Sequence, residues 1–459
     1  MFRALLFLLL FLQDRPLAEE IEKLAADHGL RGARVGIHLW SERKGEVLYA
    51  AQDGGRYTLA SNTKVLTCAA ALDRLGPEYK FVTNLEAELR DGTARLVIAG
   101  NGDPNISGRF FEGDPKALFK RWGKILKEKG VRRIEGVTLV NEGFDEETVC
   151  PGWAKYDAGP WWTAPFGTFS LNDNCVDVTI EPGEVGQPPK ISIVPDTKFV
   201  TVRNRMQTVK KSPKPWGFAR RAGSNEIVFH GEMLAGSKPV KNWVSIHDPY
   251  AFYGAVLRET LAESGLEVAG SVERSPKSPA GLVRIDSHST DLAATIRVCL
   301  TVSQNFYAEM ILRTLGRESK GAGTRENGLA AVREFLQRAG VTDYAQADGS
   351  GLSVDNRMAP RDLVKVFRHM AAHRHARVFR ESLAANGGET GTLRRRMTAK
   401  EFAGRVRAKT GHISGVANLS GYLETASEGT IVFSILVNDW KSGGRPDPFQ
   451  DRLCERILR

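Results

Sequence analysis

Between Tyr57 and Gly76 the chain reads YTLASNTKVLTCAAALDRLG. Val65, Leu66, Cys68, Ala69, Ala70 and Leu72 crowd one run that predicts a buried helix, stopped at Gly76-Pro77. Upstream, Glu19 to His28 is amphipathic and closes at Gly29 and Gly32, and ARVGIHLWS and GEVLYAAQ then alternate as two strands around the polar turn Glu42 to Gly45. From about Phe81 to Val244 the pattern changes. NLEAELRDGTARLVIAG predicts a hairpin turning at Asp91-Gly92, Asp114 to Gly130 an amphipathic helix, and RIEGVTLVNEG a strand. CVDVTIEPG, KISIVPD, FVTVRNR and EIVFHGEM follow as short strands between Gly/Pro turns. Helical periodicity returns at Asp248 to Gly265 and persists through DLAATIRVCLTVSQNFYAEMILRTLG, ENGLAAVREFLQRAG and APRDLVKVFRHMAAHRHARVF. Strand-like GRVRAKTGHISGVANLSGYLE and GTIVFSILVND and a last helix, DPFQDRLCERILR, end the chain. Similar textures at both ends around a different middle predict an α+β domain interrupted by an insertion.

The 459 residues suffice for two or three domains, and 42% apolar with 26% charged content is ordinary for a chain that buries a core. The N-terminus departs from this: Arg3, then an apolar run from Ala4 to Leu12, then charge. That run has the length of a signal-peptide hydrophobic segment and is too short to span a membrane, so residues 1–17 are expected to be an export leader, without a clean cleavage motif. The five cysteines are too few and too scattered for a disulfide framework. Cys68 and Cys299 read as core residues, whereas Cys150 and Cys175 lie in a loop-rich stretch where pairing in an oxidising compartment is open. The net charge of +10 is spread over clusters such as VKKSPKP and RRRM that lack interleaved aromatics, which argues for solvated surface and against nucleic acid. His369, His373 and His375 have no HExxH pattern or neighbouring cysteine, so a solvated helix face is expected and no metal or other cofactor.

One polar group stands out against the apolar helix. A lysine at its head, Lys64, loses hydration unless some function uses it. Ser61 precedes it by three residues and so shares its helical face. A neutral, partly desolvated lysine takes a serine proton, and free N–H groups at the helix start stabilise developing negative charge. Ser-x-x-Lys alone is weak, since roughly one or two chance matches are expected in such a chain. One decoy exists, Ser41 to Lys44, in a charged hairpin turn with no apolar helix behind it.

Two later motifs add to Ser61-Asn62-Thr63-Lys64: Ser303-Gln304-Asn305, and Lys409-Thr410-Gly411 at a strand start. In this order SxxK, SxN and KTG resemble the active-site serine penicillin-binding proteins and β-lactamases. The long interval from Ser61 to Ser303, with GNGDPNISG, SLNDNCVDV, ADGSGLS and a final LSGYL, resembles the D-alanyl-D-alanine carboxypeptidase/endopeptidase family of low-molecular-mass class C penicillin-binding proteins. The resemblance implies a penicilloyl-transferase (β-lactamase/transpeptidase-like) fold: a mostly antiparallel sheet covered by helices, a helical subdomain, and a large inserted α/β and β region. Residues 18–80 and 246–459 would form the catalytic domain, 81–102 and 169–245 an inserted mostly-β domain, and 103–168 a small nested α/β domain.

By the same resemblance Ser61 attacks the carbonyl of the penultimate D-Ala, Lys64 takes its proton, and Ser303 relays it to the leaving amine near Lys409. Asn305 holds the substrate's backbone amide, Thr410 its terminal carboxylate, and Gly411 lets it lie close to the strand. The backbone N–H groups of Ser61 and His412 would form the oxyanion hole. His412 departs from the small hydroxyl residue usual after KTG; its imidazole either turns from the site or adds a pH dependence near neutrality. The implied substrates are peptidoglycan muropeptides ending in D-Ala-D-Ala or D-Ala-to-diamino-acid cross-links, with β-lactams as covalent inhibitors, in the periplasm or cell envelope with at most peripheral membrane association. A β-lactamase or serine esterase on the same fold and a catalytically silent envelope-binding protein are the rivals. The chain lacks an ExxLN-like segment for a deacylating glutamate, and has SxN where class C β-lactamases carry a tyrosine motif.

Overall fold

The computed structural model describes residues 15–441 and 443–458, which pack as two compact units. The apolar run from Ala4 to Leu12, on which the leader expectation rests, lies outside the described residues.

The first unit takes the chain as far as Pro77, then Ile296–Gln304 and Leu329–Arg459. Its centre is a six-stranded antiparallel sheet in the order Ala384–Ala385, Val406–Ile413, Val416–Thr425, Gly429–Asn438, Arg34–Ser41, Glu46–Ala51. Strands Val416–Thr425 and Gly429–Asn438 are buried along most of their length. The apolar run of the latter, Ile431–Val437, and the full burial of Asn418 and Ser420 in the former fit a sheet covered on both faces. The helix Pro360–Ala371 packs on Gly429–Asn438 and Arg34–Ser41, and Pro446–Leu458 packs on Val416–Thr425. Phe449, Leu453 and Cys454 of the latter join Ile37, Leu39, Leu419, Phe433 and Ile435 in one core. The Ser41 to Lys44 decoy ends a strand: Ser41 is buried rather than solvated, and its Oγ accepts the Lys44 N–H at 3.1 Å.

The second unit is Glu78–Thr295 with Asn305–Gly328 and has its own core, around Trp122, Phe119, Ile98, Leu139 and Tyr253. The predicted hairpin forms from Lys80–Arg90 and Thr93–Gly100, with Asp91 and Gly92 both at positive φ as its tight turn requires. Arg133–Val140 adds in parallel, Val283–Asp291 antiparallel on the other side, and the helices Ala117–Glu128 and Pro249–Glu263 pack together. Residues 246–295 and 305–328 thus pack with this unit, because Val272–Ser275 and Val283–Asp291 complete its sheet. Two three-stranded sheets hold the remaining four predicted strands and two that were not predicted, Val240–Ser245 and Gly217–Arg220: Cys175–Glu181 lies between Val240–Ser245 and Lys190–Val194, and Glu226–Leu234 between Gly217–Arg220 and Thr201–Val209.

Candidate active site

Ser61 sits in a single 3-10 turn, Ala60–Asn62, that runs directly into the helix Thr63–Leu75. Ala60 is held at φ +45°, a left-handed conformation that an alanine adopts only under constraint. Lys64 follows one turn later and is fully buried. Its Nζ lies 2.9 Å from Ser61 Oγ and 2.7 Å from the Ser350 carbonyl. A base within hydrogen-bond reach of the hydroxyl, itself oriented by a third group, is the arrangement an activated serine needs.

The third group comes from the ADGSGLS segment. The buried Asp348 carboxylate accepts the N–H of Gly351 at 2.6 Å and of Ser353 at 2.8 Å, and Asn356 Nδ2 at 2.9 Å. Gly351 has φ +87°, and a Cβ there would stand 1.8 Å from the Ala60 carbonyl oxygen. The loop is therefore pressed on the residue before Ser61 while its Ser350 carbonyl holds Lys64.

Ser303 is also in the left-handed region, at φ +67°. Lys409 Nζ donates to Ser303 Oγ at 2.9 Å and to the Thr410 carbonyl at 3.0 Å. Lys409 has no solvent exposure, and burial pushes its pKa well below that of a free lysine, with the nearby Lys64 charge pushing the same way. Two ammoniums buried this close disfavour the doubly charged pair. The strand carrying Lys409, Val406–Ile413, lies against Ser61: a Cβ on Gly411 would be 2.8 Å from the Leu59 carbonyl, 2.9 Å from Asn62 Nδ2 and 3.2 Å from Ser61 N. Glycine is required there for the approach itself.

Strand alternation puts Lys409 and Gly411 on one face and Thr410 and His412 on the other. Thr410 Oγ1 donates to Thr392 Oγ1 at 2.9 Å, and His412 Nε2 lies 3.0 Å from Asp447 Oδ1 on the helix Pro446–Leu458. The Asp447 carboxyl is held below the usual carboxylate range by His412 and Arg396, against the opposing effect of its own burial. The imidazole is thus directed at Asp447, away from the face of Lys409.

The sequence pattern of the D-Ala-D-Ala carboxypeptidase 3 (S13) family matches residues 17–453. The chain belongs to this family. It is a serine-type DD-carboxypeptidase, and the class C penicillin-binding resemblance read from the three motifs holds. It is 30% identical over 463 residues to the D-alanyl-D-alanine carboxypeptidase of Actinomadura sp. (strain R39), covering 96% of this chain and 84% of the relative. Its fold resembles the crystal structure of penicillin binding protein 4 (dacB) from Haemophilus influenzae, with a TM-score of 0.80 at 20% identity, covering 96% of this chain and 99% of the other. The same Haemophilus protein complexed with a β-lactam matches with a TM-score of 0.75, 20% identity and the same coverage. The expected β-lactamase/transpeptidase-like fold is therefore the fold of this S13 member.

Asn305, the last residue of Ser303-Gln304-Asn305, opens the helix Asn305–Lys320 in the second unit, where its Nδ2 donates to the Trp162 carbonyl at 2.7 Å. Of the other predicted site residues, Ser61, Lys64, Ser303, Lys409, Thr410, Gly411 and His412 all fall in the first unit. Asn62 stands at the N-cap of the helix Thr63–Leu75 but makes no side-chain capping bond. It is fully buried beside Gly411, and neither end of its amide has a hydrogen-bond partner. Asp348, Ser350 and Gly351 went without a role in the sequence; their signal was the ADGSGLS segment, noted only as a family feature. Cys150 and Cys175 are not joined in this structure, and Cys150 Sγ lies 3.5 Å from Glu309 Oε2. His373 Nε2 lies 3.3 Å from Asp73.

Proposed function

We propose that Ser61 is the acylating nucleophile of this DD-peptidase and Lys64 the base that activates it, on peptidoglycan peptides ending in D-Ala-D-Ala or cross-linked through D-Ala. The observation that carries the reading is the fully buried Lys64 Nζ 2.9 Å from Ser61 Oγ. In its neutral form that amine accepts the serine proton as Oγ attacks the carbonyl carbon. Negative charge on the carbonyl oxygen meets the backbone N–H groups of Ser61 and His412. Ser303, with Lys409 at 2.9 Å, passes a proton to the departing amine. Water then hydrolyses the Ser61 ester, with Lys64 again the base. Asn305 takes the substrate's backbone amide and Thr410 its carboxylate, by the motif resemblance.

A strained β-lactam presents the same carbonyl but keeps its leaving amine tethered, so it acylates Ser61 and leaves slowly. The β-lactam complex of the Haemophilus structure supports this for the fold. Substrate chemistry and the leader-like N-terminus support export to the cell envelope; among the described residues no helix is long and apolar enough to cross a membrane.

The test is incubation with labelled penicillin and with a D-Ala-D-Ala muropeptide. A long-lived adduct absent from Ser61→Ala, together with released D-Ala, is expected. Rapid penicillin turnover would make the protein a β-lactamase instead, and neither signal would leave a binding protein.

A further inference from the structure

Of the three passages of the chain that make up the first unit, the two carrying Ser61 and Ser303 are joined by a pair of cysteines. Cys68 lies on the Ser61 helix, one turn beyond Lys64. Cys299 lies on the helix Leu292–Thr301 that leads into Ser303. Both side chains are fully buried, and their sulfurs are 3.5 Å apart across a sequence separation of 231 residues. Cys299 Sγ is also 3.9 Å from the carbonyl of Gln304, the middle residue of the Ser-Gln-Asn motif. A disulfide needs sulfurs about 2.05 Å apart, so closing the gap takes a shift of roughly 1.5 Å.

We propose that Cys68 and Cys299 are a disulfide site that stitches the discontinuous catalytic unit across its insertion. The segment ending at Pro77 and the segment Ile296–Gln304 belong to the same unit, yet the chain leaves it for Glu78–Thr295 in between. A bond from Cys68 to Cys299 closes that excursion near its root and makes the Ser61 helix and the Ser303 loop covalently continuous. Chain-entropy arguments favour such long closures, because they deny the unfolded chain most freedom. Ala60 and Ser303, each held at positive φ, are the strained positions on either side that a fixed spacing would support.

The chemistry is a thiol–disulfide exchange. One cysteine thiolate attacks a disulfide oxidant, such as glutathione disulfide or a protein disulfide donor, and releases one thiol of that oxidant. The second cysteine then attacks the mixed disulfide, forming the Cys68–Cys299 bond and releasing the second thiol. Two protons leave the cysteines and two electrons reduce the oxidant. In the folded protein both sulfurs are out of solvent, and burial pushes the Cys68 thiol well above its usual pKa, so the reactive thiolate is scarce. The bond therefore forms during folding and, once enclosed, resists reductants.

The experiment uses the full chain, unfolded and reduced, then refolded in a mixture of reduced and oxidised glutathione. After an acid quench, remaining thiols are labelled with N-ethylmaleimide in denaturant, and non-reduced peptides are mapped by mass spectrometry. Three labels on the five cysteines and a peptide joining Cys68 to Cys299 are expected, with a melting temperature several degrees above that of protein refolded under reductant. Labelling of all five, or a cross-link between any other pair, overturns the proposal. No penicillin or peptidase readout enters, so the result is independent of the catalytic reading.

Discussion

Lys64 is a fully buried amine that has Ser61 Oγ and the Ser350 carbonyl among its partners. Lys64→Arg separates charge from basicity, since a guanidinium keeps the positive charge and cannot serve as a base at neutral pH. Acylation by penicillin is expected to fall by about a thousandfold or more in stopped-flow or gel-based labelling. A loss below tenfold would remove Lys64 from the base role. Asp103 makes a different point. Its buried carboxyl is pushed up to about 6, mainly by loss of hydration, although Asn105 and Thr290 donate to it. Because the folded protein binds this proton more tightly than the unfolded chain, its contribution is full below about pH 4 and is lost as pH rises to about 6. His288, 3.8 Å away with its pKa lowered by burial, gives the opposite slope, so the comparison must be with a variant. Asp103→Asn retains the Oδ1 acceptor and never ionises. It should gain about 2–3 kcal/mol at pH 7 relative to pH 4 when set against the parent, by thermal or urea unfolding at the two pH values. Parallel pH profiles would show that Asp103 does not titrate in this window.

At the scale of elements, the site depends on two backbones lying against the Ser61 turn. Gly411→Ala places a methyl group among Leu59 O, Ser61 N and Asn62 Nδ2, two of them backbone atoms. The Lys409 strand must then move off the turn, taking the His412 N–H with it. Acylation should drop at least about tenfold with a stability loss of roughly 1–3 kcal/mol. Gly351→Ala is harsher, because its new methyl would overlap the Ala60 carbonyl and its backbone is left-handed. An unaltered acylation rate in Gly411→Ala would contradict the close approach. These elements also mark what the sequence made legible. The Ser61 helix and the Asp91-Gly92 hairpin follow local apolar periods and turn residues, and each forms as expected; KTG, expected at a strand start, lies in the middle of Val406–Ile413. The Ser350 carbonyl on Lys64 did not announce itself, because a backbone oxygen 286 positions along the chain has no side-chain signature. Asn62 has the composition of a helix cap, but it makes no capping bond and packs beside Gly411. The single GRVRAKTGHISGVANLSGYLE run became two strands around Gly415, whose positive φ makes the turn.

On the scale of the whole molecule, each unit carries its own core, and the second also carries a buried cation. Arg313 is almost without exposure. Its guanidinium meets Glu309 Oε2 at 3.2 Å and Asp145 Oδ1 at 3.5 Å, pairs with Glu147, and stacks 4.0 Å from the centre of the Phe166 ring. Its pKa is raised by these carboxylates despite burial. Arg313→Ala leaves the fully buried Glu309 without its nearest cation and should cost about 3–5 kcal/mol in unfolding experiments. A change under 1 kcal/mol would mean that the carboxylates relax to water. The compact units divide at Pro77, close to the change of texture near Phe81, and the second unit runs on to Thr295 although the helices after Asp248 continue one helical pattern.

The central claim is that the Ser61–Lys64 pair forms an acyl-enzyme. Its most direct measurement is intact mass after exposure to penicillin, for the parent protein and Ser61→Ala. A stable addition of one penicillin mass, mapped to the Ser61 peptide and absent from the variant, is expected. An adduct that persists in Ser61→Ala, or a parent protein that never gains that mass, would contradict it.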